Sequence, residues 1–253
     1  MTPPPFTVIG TPFSTFTRTI TLALTYKGIA FNQVRIVPHS DTAHEHHSFG
    51  FLPTLLIHEL NGQKADLKPR ESQAITRPTL TITDGDGHAA VAEQMWEFVS
   101  FVRAYGFPAV EKSVVKLRVA AIDQGTLSDA KVRCTIAPAV AQFRTFLDNI
   151  EAHMFPEGYV FGEKLSWADL FLYPLLAHLR AIPEGEILSP RLVEWMDKMD
   201  RLDAVEESRA GTLSVAHHSL IEVDGMQYTP CIQSTLAGMW MMSYEFSLPP
   251  FEN

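Results

Sequence analysis

The chain has 253 residues, enough for one large domain or two ordinary ones, and 46% of them are hydrophobic, so a substantial core can form. Its formal net charge of −9 repels phosphate backbones and anionic lipid, which argues against nucleic acid and membrane surfaces as partners. No apolar run reaches the roughly 18 residues of a spanning helix, the start Met1-Thr2-Pro3-Pro4-Pro5 lacks the regions of a secretion signal, and the distant Cys134 and Cys231 match neither a metal pattern nor a redox pair, which points to a reducing, cytoplasmic setting.

The first third alternates strand and helix. Thr7-Val8-Ile9 is a short apolar run that ends at the turn signal Gly10-Thr11-Pro12. Over residues 14–27, Phe16, Ile20, Ala23 and Leu24 recur at helical spacing, and Gly28 supplies a left-handed stop. Residues 31–37 are rich in strand formers. The resulting βαβ unit implies parallel pairing and a right-handed crossover. Residues 54–57 supply a further strand, Asn61-Gly62 a hairpin turn to a fourth, and residues 71–77 a second core helix limited by Pro78. The polar stretch Thr83-Asp84-Gly85-Asp86-Gly87-His88 reads as a linker. It is not a calcium loop, because Met95 stands where the closing glutamate is needed.

Beyond the linker the pattern is helical. Residues 89–105, 128–153, 166–179 and 190–210 carry apolar side chains at three- and four-residue spacing, with Pro138 and Pro174 placed to kink two of them. Leu165-Ser166-Trp167-Ala168-Asp169-Leu170 combines a capping box with a hydrophobic staple. The expected organisation is a thioredoxin-like domain over residues 1–82, a linker over 83–88 and an all-helical domain over 89–253, atypical from about residue 213.

Three short phrases carry chemistry. In Gly10-Thr11-Pro12-Phe13-Ser14-Thr15-Phe16-Thr17-Arg18, Ser14 stands at a strand-to-helix turn, where free N–H groups and the helix dipole favour an anion. It can serve as a helix cap or as a donor to a thiolate, and local spacing alone suits the cap. In Phe49-Gly50-Phe51-Leu52-Pro53-Thr54-Leu55, Pro53 opens a strand. In Glu71-Ser72-Gln73-Ala74-Ile75-Thr76, an acidic-hydroxyl pair opens a helix and can take a carboxylate. His44-Glu45-His46-His47 has adjacent histidines in a polar loop without a further matched ligand, so no metal is expected there.

In this order the phrases resemble the glutathione transferase family, specifically its serine-type, phi-like and fungal members, over residues 6–210. In the helical half the resemblance rests on Gly158-Tyr159-Val160-Phe161-Gly162-Glu163-Lys164 and the capping box after it. It implies a cis Pro53, strand-like pairing of the Leu52 backbone with the cysteinyl part of glutathione, and Glu71 and Ser72 on the γ-glutamyl amine and carboxylate. Ser14 becomes the thiol activator, with Thr11, Thr15 and Thr17 as neighbouring hydroxyls and Arg18 supporting the turn. Asp169 is structural. His39 is the candidate for the glycyl carboxylate, and Phe13, Phe16 and Trp96 for the acceptor pocket.

The chain also departs from that pattern. Phe51 replaces a common polar residue, residues 56–70 run longer than usual, and the tail from Leu213 has no counterpart. Its Met239-Trp240-Met241-Met242 run suits packing on the helical domain or capping of the pocket. The implied activity is attack of the glutathione thiolate on an apolar electrophile, in specialised or secondary metabolism, by a homodimer that needs no metal. Two alternatives stand beside it: a glutathione-dependent cis–trans isomerase, acting by reversible addition to a conjugated alkene, and a non-catalytic glutathione-binding module.

Overall fold

The computed structural model describes residues 4–60, 62–79, 89–124 and 127–214. The linker at 83–88, Asn61, Cys231 and the methionine-rich run at 239–242 lie outside those residues.

Strand β1 (Phe6–Ile9) leads into α1 (Thr15–Tyr26), and β2 (Phe31–Val34) follows. Gly28 takes φ 64°, the conformation that stops a helix without a Cβ penalty. Strands β3 (Thr54–Leu60) and β4 (Gln63–Leu67) form a hairpin, and helix α3 (Ser72–Thr79) packs with α1. The sheet order is β2-β1-β3-β4, with β1 parallel to β2 and antiparallel to β3. This matches the expected βαβ unit and its hairpin. All four residues of β1 are buried, as the neighbour of two strands must be, while β4 is an exposed edge. Strand β3 runs past the expected Ile57 to Leu60, with an irregularity in its pairing to β4 between Ile57 and Glu59.

Two expectations need correction. The segment read as a polar histidine loop contains a short helix, α2 (Asp41–His46), capped by the Ser40 hydroxyl on the Ala43 N–H. The helix after the linker also continues well past residue 105. Helix α4 (Ala89–Phe101) passes through Val102–Gly106 and Pro108–Val115, both wound with i→i+5 bonds, into α5 (Lys116–Gln124). The local cause is in the sequence. Pro108 has no N–H and its ring clashes with the carbonyl four residues back in an α-helix. The wider π winding absorbs the conflict: Phe107 N–H reaches Val102 O and Lys116 N–H reaches Glu111 O. Gly106 is required by packing, since a Cβ there would stand 2.4 Å from Phe146 Cζ.

Helix α6 (Asp129–His153) and the fully buried α7 (Trp167–Arg180) form the centre of the helical domain, with α8 (Pro190–Asp200) and α9 (Asp203–Glu207) after them. Buried Asp169 accepts from the Ser166 N–H and hydroxyl, from Val160 N–H and from Trp195 Nε1–H, at 2.8–3.0 Å. The capping box expected at Ser166 and Asp169 thus secures α7 to the turn before it and to α8. Helix α7 also packs along α1, so one core joins the two domains. No described helix is long and apolar enough to cross a membrane.

Candidate active site

Where the two domains meet, a cleft of about 280 Å³ opens beside the N-termini of α1 and α3. Ten of the residues singled out from sequence line it: Thr11, Phe13, Ser14, Thr15, Phe16, Phe51, Leu52, Pro53, Glu71 and Ser72. They come from separate stretches of chain, and the sheet brings them together because β1 and β3 are adjacent and each ends at the cleft.

Ser14 caps α1. Its Oγ accepts the Thr17 N–H at 3.4 Å, which occupies a lone pair and leaves the O–H free to donate. Capping and donation to an anion are therefore compatible. Of the neighbouring hydroxyls, Thr11 and Thr15 line the cleft, whereas Thr17 is fully buried. Arg18 is buried too: Nη1 donates to Ser214 Oγ at 2.9 Å, and its guanidinium lies 5.2 Å from the Tyr173 ring. Burial pulls the Arg18 pKa down from its ordinary value.

The Leu52–Pro53 peptide is cis. Among the described residues, Leu52 N–H and C=O make no hydrogen bond, so that backbone edge is open to pairing. Ser72 is buried at the start of α3, where the first N–H groups lack helical partners. Glu71 sits just before it at φ 69°, a left-handed conformation that costs on the order of 1–3 kcal/mol for such a residue. That conformation lets its carboxylate meet Arg103 Nη2 through Oε2 and His47 Nε2, 3.4 Å away, through Oε1.

His39 and Trp96 do not line the cleft. His39 turns its ring edge onto Phe51, 5.1 Å between centroids, and burial holds its imidazole below the usual range. Trp96 packs, partly buried, against the core from α4.

Sequence reasoning missed the remaining wall. His47 is only 4% exposed; Phe49 N–H donates to its Nδ1 at 3.1 Å, which leaves the proton on Nε2 facing Glu71. Arg103, Glu111 and Lys112 come from the two π-wound stretches, Phe107 from the junction between them and Lys116 from the start of α5 directly after. Their spacing fits one face of the wider winding but not of an α-helix with about 3.6 residues per turn. Phe107 stacks against Phe16 at 4.6 Å, so the helical wall is aromatic next to α1 and charged beyond. Burial lowers the Lys116 pKa, against the attraction of Glu111. Glu111 itself is buried, its Oε1 2.7 Å from Thr15 Oγ and 2.6 Å from His178 Nδ1.

Residues 96–204 match the family model described as "Glutathione S-transferase, C-terminal domain". No curated protein sequence matches the chain. Among solved structures, glutathione transferase F7 from Populus trichocarpa is 22% identical with a TM-score of 0.66, over 81% of this chain and 98% of that one. The maize glutathione S-transferase I in complex with an atrazine glutathione conjugate is 21% identical with a TM-score of 0.66, over 83% and 98%. A glutathione transferase family member from Pseudomonas fluorescens with two glutathione bound is 15% identical with a TM-score of 0.63, over 80% and 91%. The chain therefore has the glutathione transferase fold, a thioredoxin-like domain followed by a helical one, and its helical half matches that family's C-terminal domain.

Proposed function

We propose that the cleft binds glutathione and activates its thiol for attack on an apolar electrophile. The observation that carries this reading is the convergence of Ser14, Leu52, Glu71 and Ser72 on one cleft. The groups fit a γ-glutamyl tripeptide: an acidic side chain for the ammonium, a buried hydroxyl at a helix N-terminus for the carboxylate, and an open backbone edge for the middle residue. The solved structures of the same fold with glutathione or its conjugate bound add to it.

In this reading Ser14 donates its O–H to the sulfur at the positive end of α1, which lowers the thiol pKa and raises the thiolate population at neutral pH. The acceptor lies on Phe13, Phe16 and Phe107, and holding it against the sulfur supplies the proximity term. This aromatic wall suits a large apolar acceptor and a specialised metabolic role. Residues 1–82 supply the glutathione side and residues 89–253 the acceptor side. Exposed Phe49, at 68%, gives a homodimer an apolar contact. The cytosol, where the tripeptide stays reduced, is the matching compartment.

Calorimetry with glutathione, followed by mass analysis of product from 1-chloro-2,4-dinitrobenzene, tests the reading. Binding with a product heavier by the glutathionyl group supports conjugation. Absence of binding overturns it, and binding without turnover of any electrophile reduces the protein to a glutathione-binding module. Reversible addition to an alkene uses the same thiolate. An alkene product of unchanged mass, formed only with glutathione present and without loss of thiol, identifies that isomerase chemistry.

A further inference from the structure

The cleft contains a carboxylate that thiol activation leaves without a task. Glu111 is 3% exposed, yet it lines the cleft. Its Oε1 accepts the Thr15 hydroxyl at 2.7 Å and lies 2.6 Å from Nδ1 of His178, which is itself fully buried under the Phe13 ring. Both contacts end on Oε1, while Oε2 is not among the buried polar atoms left without a partner and its residue lines the cleft. Thr15 follows Ser14 directly, so the carboxylate is anchored one residue from the hydroxyl assigned to the sulfur. A purely structural ion pair has no need of the cleft, and a hydrophobic acceptor wall has no need of a carboxylate.

We propose that Glu111 is a catalytic proton carrier that suits the site to conjugated carbonyl acceptors, with Thr15 and His178 as positioning residues. The proposal rests on the transferase reading above. The steps balance without any further reagent. Ser14 stabilises the thiolate, and the proton the sulfur releases is held on Glu111 Oε2. The thiolate forms an S–C bond at the β-carbon of an enone, and the alkene electron pair moves to the carbonyl oxygen as an enolate. Glu111 returns the proton to the α-carbon, the enolate collapses to the ketone, and the carboxylate is restored. Thr15 and His178 hold Oε1, so the rotamer that presents Oε2 is set before substrate arrives. An aryl chloride makes a different demand: the thiolate displaces chloride, no carbon requires a proton, and the proton released from sulfur leaves to water, so the carboxylate has nothing to return.

The test compares two probes in one protein, 4-phenyl-3-buten-2-one as the enone and 1-chloro-2,4-dinitrobenzene as the aryl chloride. Glu111→Gln keeps an oxygen for Thr15 but cannot carry the proton. It should lower kcat on the enone by about 100-fold, the ordinary loss for a general acid–base group, and at least tenfold more than on the chloride. Thr15→Val removes one anchor and retains the carboxylate; its loss should be smaller but biased toward the enone in the same way, and it decides the matter if the glutamine variant does not fold. Equal losses on the two probes in the folded variants overturn the proposal and leave the transferase reading standing. A wild type that turns over the chloride and not the enone counts against the proposal equally. A wild type that binds glutathione and turns over neither probe overturns the transferase reading itself.

Discussion

The two walls of the cleft are built on different principles. The thioredoxin-like wall presents Ser14, Leu52, Glu71 and Ser72 from turns and helix starts, so its chemistry is carried by backbone groups and short side chains fixed locally. The helical wall presents Arg103, Phe107, Glu111, Lys112 and Lys116 from one continuous helix, and the π winding between Val102 and Val115 puts them on a common face. In the proposed function, one wall reads a constant ligand through local geometry. The other can change what it accepts by a change in helical register, without disturbing the first. Substitutions should therefore separate: those on the first wall alter glutathione binding and ionisation, those on the second alter the acceptor.

The largest effect should come from the first wall. Ser14→Ala should lower turnover by about 100-fold and raise the pKa of bound glutathione, followed by thiolate absorbance against pH. An unchanged titration would move the thiol contact to Thr11, Thr15 or the backbone. Next, Ser72→Ala should weaken glutathione binding by about 1–3 kcal/mol in calorimetry, the usual loss for a charge-assisted hydrogen bond. Equal affinity would remove the carboxylate role. On the second wall, Pro108→Ala restores an N–H and relaxes the conflict that favours π winding. The acceptor KM should shift by about three- to tenfold while glutathione affinity holds within about twofold, the register idea being lost if both move together. The smallest effect should be Arg103→Met. Its partner Glu71 is 43% exposed and Arg103 39%, so the pair should contribute no more than about 1 kcal/mol to thermal or denaturant stability.

The contrast also explains what could be read from sequence. The βαβ unit, the hairpin and the capping box were legible because each is a local signal: Gly28 stops a helix, Asp169 caps one, and Ser72 starts one. The roles of the first wall came from the order of its three phrases and the family resemblance, since Ser14 alone reads as a cap. The second wall was not. A search for apolar residues at three- and four-residue spacing follows α-helical winding, and residues 106–115 do not wind that way. The helical pattern was ended at residue 105, just before Gly106 and Pro108, which in the structure lie inside a continuing helix. That pair was the one available hint. His47 was hidden differently. Adjacent histidines in a polar run suggest solvation, and only the short helix Asp41–His46 and the Phe49 N–H turn one of them inward. Trp96 and His39 were placed at the cleft by analogy with position along the chain, which cannot say which way a ring faces.

The Glu71–Arg103 pair spans the two walls. The ligand ammonium assigned to Glu71 must share that carboxylate with Arg103 or displace it, and an acceptor resting on the π-wound segment touches the helix that carries Arg103. The two binding events thus hold opposite ends of one ion pair. Equilibrium linkage then makes the bargain symmetrical: whatever factor glutathione applies to the affinity for the acceptor, the acceptor applies to the affinity for glutathione.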